Sequence, residues 1–305
     1  MSEAPRDVRE LAERRADARA AKDFAQADAL REAIAEAGWT VVDEPDGWRL
    51  EPAVAIPPEA RPRRAQDVPS LLGEPATADI SLHWVCEGWP EDIARAVASF
   101  RANVGGRDAR YIVADVTGAE PGAFGDDVEV IALEPGTGWA AARNAGLRRT
   151  TGRLALVLDG SIEATGDVWS PLEDALADPG VGIAGPFGII THDLREFEEA
   201  AWPGVCDAVE GYAMAMRREL LTEAGLFDEK FRWYRTADIE FSFRVKDAGL
   251  RTVVVPVPVI KHEHRMWFGT EPAERAKWSK RNYYRFLDRW RDRWDLVLDP
   301  RPPKH

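Results

Sequence analysis

Residues 137–163 read TGWAAARNAGLRRTTGRLALVLDGSIE, and the reading of this stretch decides the fold. It is a glycine turn, a helix, a second turn and a buried strand that ends in a carboxylate. Gly136 and Gly138 form a loop that takes positive φ or lets a ligand approach the backbone closely. Trp139, Ala142, Ala145, Gly146 and Leu147 recur at helical spacing, and the small residues among them let a helix lie close on a sheet. Gly152 reads as the stop of that helix. Leu154-Ala155-Leu156-Val157-Leu158 is an unbroken apolar run, the pattern of a strand buried on both faces of an α/β sheet. Asp159 follows where the strand runs out. Ligands of open α/β sheets sit beyond the carboxyl ends of strands, so this acid is a candidate for holding a metal or a sugar.

Working outward, Asp79–Cys86 reads as a strand, followed by a helix from Pro90 to Phe100 with Ile93, Val97 and Phe100 on one face. Tyr111–Ala114, ending at Asp115, and Val128–Ala132 are two more strands. Val181–Gly185, the apolar run Ala208–Met216 and Val253–Pro256 continue the pattern downstream. A helix over Asp238–Arg244 stops at Gly249, and His262 and His264 stand past the last strand. Strands alternating with helices at this spacing imply a mostly parallel sheet with helices on both faces.

The first fifty residues differ. Val8, Leu11, Ala12 and Arg15 mark one amphipathic segment and Phe24, Ala27, Leu30, Ile34 and Ala37 a second, with Asp23 as cap and Gly38 as stop. Trp39–Val42 and Trp48–Leu50 then form a β-hairpin around Glu44-Pro45-Asp46-Gly47. From Glu51 onward, Pro52, Pro57, Pro58, Pro62, Pro69 and Pro75 recur without apolar periodicity, the mark of a stiff linker. The expected organisation is therefore a helical and β-hairpin module over 1–51, a linker over 52–77 and a large α/β domain over 78–305.

A net charge of −13 opposes nonspecific binding to nucleic acid or to an anionic membrane. Cys86 and Cys206 give neither a disulfide framework nor a metal pattern. The opening is charged and alanine-rich, unlike a signal peptide, and no apolar run approaches the ~20 residues of a membrane span. The expectation is a soluble, cytoplasmic protein, and an oligomer is compatible with it.

In order and spacing, the pieces from roughly 78 to 294 resemble the family 2 inverting glycosyltransferases, which have the GT-A nucleotide-diphospho-sugar transferase fold. Four matches carry the resemblance: Asp115; Gly138 with Ala142-Arg143-Asn144-Ala145-Gly146-Leu147 and Gly152; Leu156–Ser161 at the DxD metal motif; and Gly225–Glu229 with Asp238–Arg244 and Ala248-Gly249-Leu250. The resemblance implies Asp115, Gly138, Arg143 and Asn144 on the nucleotide sugar, and Asp159, Ser161 and His262 on a divalent cation, Mn²⁺ or Mg²⁺. His264 competes with His262, and Glu163 is a substitute ligand. It implies Asp238 as general base, with Gly211, Trp233 and Glu240 on the acceptor side. The chemistry is consistent with those types. An acceptor hydroxyl must lose a proton as it attacks, and the leaving diphosphate gathers charge that a cation offsets.

Two departures stand out. Ser161 brings no charge where the family carries a second carboxylate, which weakens metal binding. Trp84 and Trp89 flank the first strand's end, where they either stack a base or fill its place. Two readings follow. One is transfer of a sugar from a nucleotide sugar to a glycan or lipid-linked acceptor. The other is a noncatalytic GT-A binding or scaffold protein with a degenerate metal motif. The C-terminal helix from Pro272, rich in Lys, Arg and aromatics, either touches a membrane surface or packs on the domain.

About the first fifty residues resemble the C-terminal tail of cysteinyl-tRNA synthetases, on Ala21–Phe24, Ala27–Arg31, Gly38, Asp43 and Pro45–Gly47. In that family the tail belongs to the tRNA-contacting region. Here the segment is acidic on balance, so a packing add-on is favoured over a nucleic-acid contact.

Overall fold

The computed structural model describes residues 4–301 apart from 22, 38, 45–46, 53–60, 63, 120–121 and 201–202. The chain divides into two units, Met1–Arg61 and Pro62–His305. In the first, helices α1 (Arg6–Ala20) and α2 (Phe24–Glu36) are followed by an antiparallel hairpin, β1 (Trp39–Glu44) and β2 (Gly47–Pro52). Val8, Ala12, Ile34, Trp39 and Val41 bury against one another, as the amphipathic spacing requires. Asp23 Oδ1 accepts the Gln26 N–H at 3.1 Å, the cap expected of it. The helix stop Gly38 and the turn residues Pro45 and Asp46 lie outside the described residues.

The second unit is built on strands β3 (Ala78–Cys86), β4 (Ala109–Asp115), β5 (Val128–Ala132), β6 (Gly152–Leu158), β7 (Ile162–Ala164), β8 (Val181–Gly185), β9 (Gly188–Thr191), β10 (Phe197–Glu199), β11 (Gly204–Cys206), β12 (Ala208–Val209), β13 (Ala213–Arg217), β14 (Arg251–Val254) and β15 (Val259–Lys261). Its helices are α3 (Pro90–Ala102), α4 (Trp139–Leu147), α5 (Trp169–Leu176), α6 (Leu220–Glu223), α7 (Ala237–Asp247), α8 (Arg265–Gly269) and α9 (Pro272–Trp290).

An eight-stranded sheet runs β11-β14-β8-β13-β6-β3-β4-β5. The β6-β3-β4-β5 half is wholly parallel, and β13 lies antiparallel between β6 and β8. Alternation along the strands feeds two cores. Leu82, Trp84, Leu156 and Leu158 meet Ile93, Val97 and Phe100 of α3 and Trp169 and Leu172 of α5. Ala155 and Val157 meet Trp139, Phe241 and Val245 on the other face. Helices on both faces match the architecture expected from the sequence.

Two local readings change. Gly152 opens β6 rather than ending α4, which stops at Leu147. A Cβ at Gly152 would lie 2.3 Å from the Ile80 carbonyl carbon, so the glycine serves strand contact. The unit boundary falls inside the proline-rich stretch, and its later part is packed. Ala65 and Val68 are buried against α4, and Arg148 Nε donates to the Val68 carbonyl at 2.7 Å. Among the described residues, no helix is long and apolar enough to cross a membrane.

Candidate active site

Strands β3, β4 and β6 end on one edge of the sheet, and Asp159 follows β6. Its Oδ1 accepts from the Ser161 N–H at 2.8 Å and from Ser161 Oγ at 2.5 Å. This local turn fixes the carboxylate and leaves Oδ2 facing His264 Nε2 at 3.3 Å. Burial pushes the Asp159 carboxyl up, but the hydrogen bonds from His264 and Ser161 outweigh it and hold the group below its ordinary range. The rings of Tyr234 and Tyr212 flank His264 edge-on at 4.5 and 5.4 Å.

The resemblance puts His262 on the metal with His264 competing for the place; the structure sets His264 beside Asp159. β15 pairs with β7, and the His262 N–H continues that ladder onto the Ser161 carbonyl at 2.8 Å. The imidazole therefore meets Glu163, Nε2 to Oε2 at 2.7 Å, and Glu163 is engaged with His262 instead of Asp159. Among the described residues, no group of three His, Cys, Asp or Glu side chains converges on a metal-sized point. The donors at the strand end are one Asp159 oxygen and the His264 imidazole, with Nδ1 of that ring buried and without a partner. An oxygen and an imidazole nitrogen suit a Mn²⁺-type cation whose remaining ligands come from elsewhere.

All four residues expected on the nucleotide sugar are engaged by the protein itself, and Arg143 alone of them also borders a cavity. Asp115 is 2% exposed; its Oδ1 accepts from the Thr117 N–H and hydroxyl and its Oδ2 from the Ala119 N–H, so it shapes the loop after β4. Asn144 locks α4 to the 225–231 loop, donating to the Phe227 carbonyl at 2.8 Å and accepting the Phe227 N–H at 2.9 Å. Gly138 caps α4, where a Cβ would lie 3.1 Å from Arg232 Cα; the close approach is to the chain itself. Arg143 is also buried, donating to the His83 and Leu158 carbonyls at 2.7 and 3.1 Å. Yet it lines a small cavity of ≈ 40 Å³ with Glu87, Trp89 and Asp159. Burial lowers the Arg143 guanidinium to about 10, against the pull of Asp159 and Glu87. Burial raises Glu87 to about 8, with Arg143 opposing. Trp84 is core, edge-on to Phe100 at 5.9 Å, so Trp89 alone of the pair borders the cavity.

The other side of Asp159 opens into a cleft of ≈ 1160 Å³. Asp238 lies on its wall in the first turn of α7, after Thr236 at the strained φ of 73°. Its Oδ2 accepts the Gly211 N–H at 2.8 Å and its Oδ1 the Ile239 N–H at 2.9 Å. Burial nevertheless raises its carboxyl above the ordinary value, the direction a general base requires. Gly211 thus orients Asp238. Glu240, one of the expected acceptor-side residues, is turned inward onto Arg244 and Arg289 at 3.0 Å each and ties α7 to α9. Trp233 is not on the cleft wall; its neighbour Tyr234 is.

Sequence reasoning missed Glu210, Tyr212 and Lys261, which line the same cleft. Glu210 is raised by burial, with Lys261 opposing. The signal was present. The apolar run Ala208–Met216 is interrupted by Glu210-Gly211-Tyr212, and the structure breaks β12 from β13 at those three residues.

Residues 91–240 match the family model described as Glycosyl transferase family 2, and residues 1–49 match the Cysteinyl-tRNA ligase anticodon binding domain. Over residues 91–240 the chain is thus similar to family 2 glycosyltransferases, and over residues 1–49 to the tail domain of cysteinyl-tRNA ligases. The cysteine–tRNA ligase of Opitutus terrae is 58% identical over 52 residues, 17% of this chain and 11% of that protein. Cysteine–tRNA ligase 1 of Burkholderia lata is 56% identical over 46 residues, 15% of this chain and 10% of that protein. The chain therefore spans about a tenth of the length of these ligases. Among solved structures, GalNAc-T7 with UDP, GalNAc and Mn²⁺ aligns with a TM-score of 0.57 at 16% identity, covering 72% of this chain and 50% of that one. That likeness is one of fold, and it is the GT-A fold expected from the sequence. The mannosyltransferase PcManGT from Pyrobaculum calidifontis, with GDP-Man and Mn²⁺, gives 0.45 at 19% identity, over 62% and 56% of the two chains.

Proposed function

We propose that the second unit is an inverting glycosyltransferase that moves a sugar from a nucleoside-diphosphate sugar to a hydroxyl of a glycan or lipid-linked glycan. The observation that carries this reading is Asp238, a buried carboxylate raised by its surroundings and held by two backbone N–H groups on the wall of a large cleft. It takes the proton of the acceptor hydroxyl as that oxygen attacks the sugar from the side opposite the leaving diphosphate. The Gly211 and Ile239 N–H groups aim the carboxylate, and burial keeps it basic enough to accept.

Asp159 and His264 would hold a divalent cation at the end of β6, which when bound neutralises charge on the leaving diphosphate. GalNAc-T7, with the same fold, is described with UDP and Mn²⁺. Tyr212 and Tyr234 flank His264 on the cleft wall and hold its ring toward Asp159. Arg143 places positive charge beneath the diphosphate side. We place the activity in the cytoplasm, where Cys86 and Cys206 remain buried free thiols. The first unit acts as a packing module.

A second reading, a noncatalytic GT-A binding protein, is favoured by the small donor-side cavity and by the engagement of Asp115 and Asn144 in the protein's own structure. One experiment separates them. The protein is melted with a panel of nucleoside diphosphates, with and without Mn²⁺, then assayed for nucleotide-sugar hydrolysis. A metal-dependent rise in Tm with turnover that Asp238→Asn abolishes supports the enzyme. A rise without turnover, or no rise with any nucleotide, ends the enzyme reading and leaves the noncatalytic protein.

A further inference from the structure

The two large apolar side chains most exposed among the described residues stand together on α8 and α9: Phe268 at 63% and Tyr284 at 54%. Interleaved with them are Arg275, Lys277, Lys280 and Arg281. Their contacts are aromatic faces. Arg275 lies over Trp267 at 4.6 Å, Lys277 and Arg281 over Trp278 at 5.8 and 5.4 Å, and Lys280 over Tyr284 at 6.0 Å. Among the described residues, no carboxylate comes within ion-pair distance of these four cations. The end of the same helix behaves differently: Arg289 meets Glu240 at 3.0 Å, Arg291 meets Asp288 at 2.7 Å and Arg293 meets Asp247 at 2.5 Å.

Glu274 stands among these four cations but accepts from Trp278 Nε1 at 3.3 Å, so in a chain with 53 acids and 40 Lys and Arg their lack of an ion pair among the described residues needs a reason. The inner face of α9 is anchored by buried Asn282, Phe286 and Trp290, so the outer face is held in a fixed direction. Phe268, Lys280 and Tyr284 also form part of the lining of the large cleft, so whatever meets this face lies at the cleft's entrance.

We propose that the α8–α9 face docks the protein on an anionic lipid surface. Phe268 and Tyr284 enter the headgroup layer, where aromatic side chains settle, and the four cations meet lipid phosphates. The packing reading of α9 holds for its second half and this contact for its first. A lipid surface fits better than a nucleic acid. The cations already cover faces of Trp267, Trp278 and Tyr284, the surfaces on which bases would stack. The net charge of −13 opposes an anionic membrane and a nucleic acid alike, so the attraction must come from this local patch at short range, where salt screens it.

This goes beyond the sugar-transfer reading and is tested without turnover. The full chain is sedimented with vesicles of phosphatidylcholine alone and of phosphatidylcholine with one third phosphatidylglycerol, at low and high salt. Binding is expected to the anionic vesicles only, with release at high salt. Lys277→Glu/Lys280→Glu/Arg281→Glu should weaken it by at least about tenfold. Phe268→Ser should weaken it at every salt concentration. All variants are checked for an unchanged melting curve, which these exposed positions permit. Asp238→Asn should sediment like the parent, which separates failure of docking from failure of transfer. No sedimentation, equal sedimentation with pure phosphatidylcholine, or a triple variant that binds like the parent overturns the proposal. So does a gel shift of bulk tRNA that is lost in the triple variant.

Discussion

The two sides of Asp159 treat their polar side chains in opposite ways. On the side of Arg143, the groups that define the sequence motif are spent on the protein. Asp115 folds a loop, Asn144 rivets α4 to the 225–231 loop, and Arg143 bonds strand-end carbonyls. The cavity left there is ≈ 40 Å³. On the side of Asp238 the cleft is ≈ 1160 Å³, and Asp238, Glu210 and Tyr212 stand on its walls. The glycine and Ala142–Leu147 match is thus largely scaffold, while the cleft side carries the Asp238 match together with Glu210 and Tyr212, which belong to none of the four matches. Asp238 is hydrogen-bonded too, to the Gly211 and Ile239 N–H groups; what separates it from Asp115 and Asn144 is its place on the wall of the large cleft and its raised pKa.

The strongest way to break this contrast is at Asp238. Asp238→Asn should lower transfer by about 10²–10⁴-fold while nucleotide binding, read by Tm, stays intact. Transfer surviving near the parent rate would move the chemistry elsewhere. Because the reacting form is the carboxylate and its pKa is raised, the parent's rate should fall as pH drops through that raised value.

A smaller effect is expected at the strand end. Asp159→Asn and His264→Ala should each raise the Mn²⁺ concentration for half-maximal donor hydrolysis by about 10–100-fold. His262→Ala, which loses only its contact with Glu163, should leave it near the parent value. The reverse ranking of the two histidines would restore His262 as the ligand.

Asn144→Ala tests the scaffold side. It leaves the Phe227 N–H and carbonyl buried without partners, so urea denaturation should show a loss of about 1–3 kcal/mol for the unmet groups. Nucleotide affinity of the folded fraction should be unchanged.

A pH dependence of stability is expected from the same side. Burial lowers His83 from 6.5 to about 3, so it stays neutral in the fold and gains a proton on unfolding below 6.5. Stability should therefore fall as pH drops from about 6.5 toward about 3. His83→Gln should flatten that slope in urea titrations at pH 7 and pH 5. An unchanged slope would assign the loss to other groups.

The sequence by itself determined the parallel half of the sheet, the helix 139–147, the strand-end position of Asp159 and the N-terminal module. Each of these rests on local period, small residues and turn chemistry, and those act within a few residues of one another. Only the tertiary structure decided that Gly152 spaces β6 from β3, that His264 rather than His262 reaches Asp159, that Glu240 points at Arg289, and that Glu210 joins Asp238 in the cleft. These depend on strand register and on contacts between distant segments. A histidine pair two residues apart has no local signal for which ring turns toward a carboxylate about a hundred residues away; the pairing of β15 with β7 supplies it.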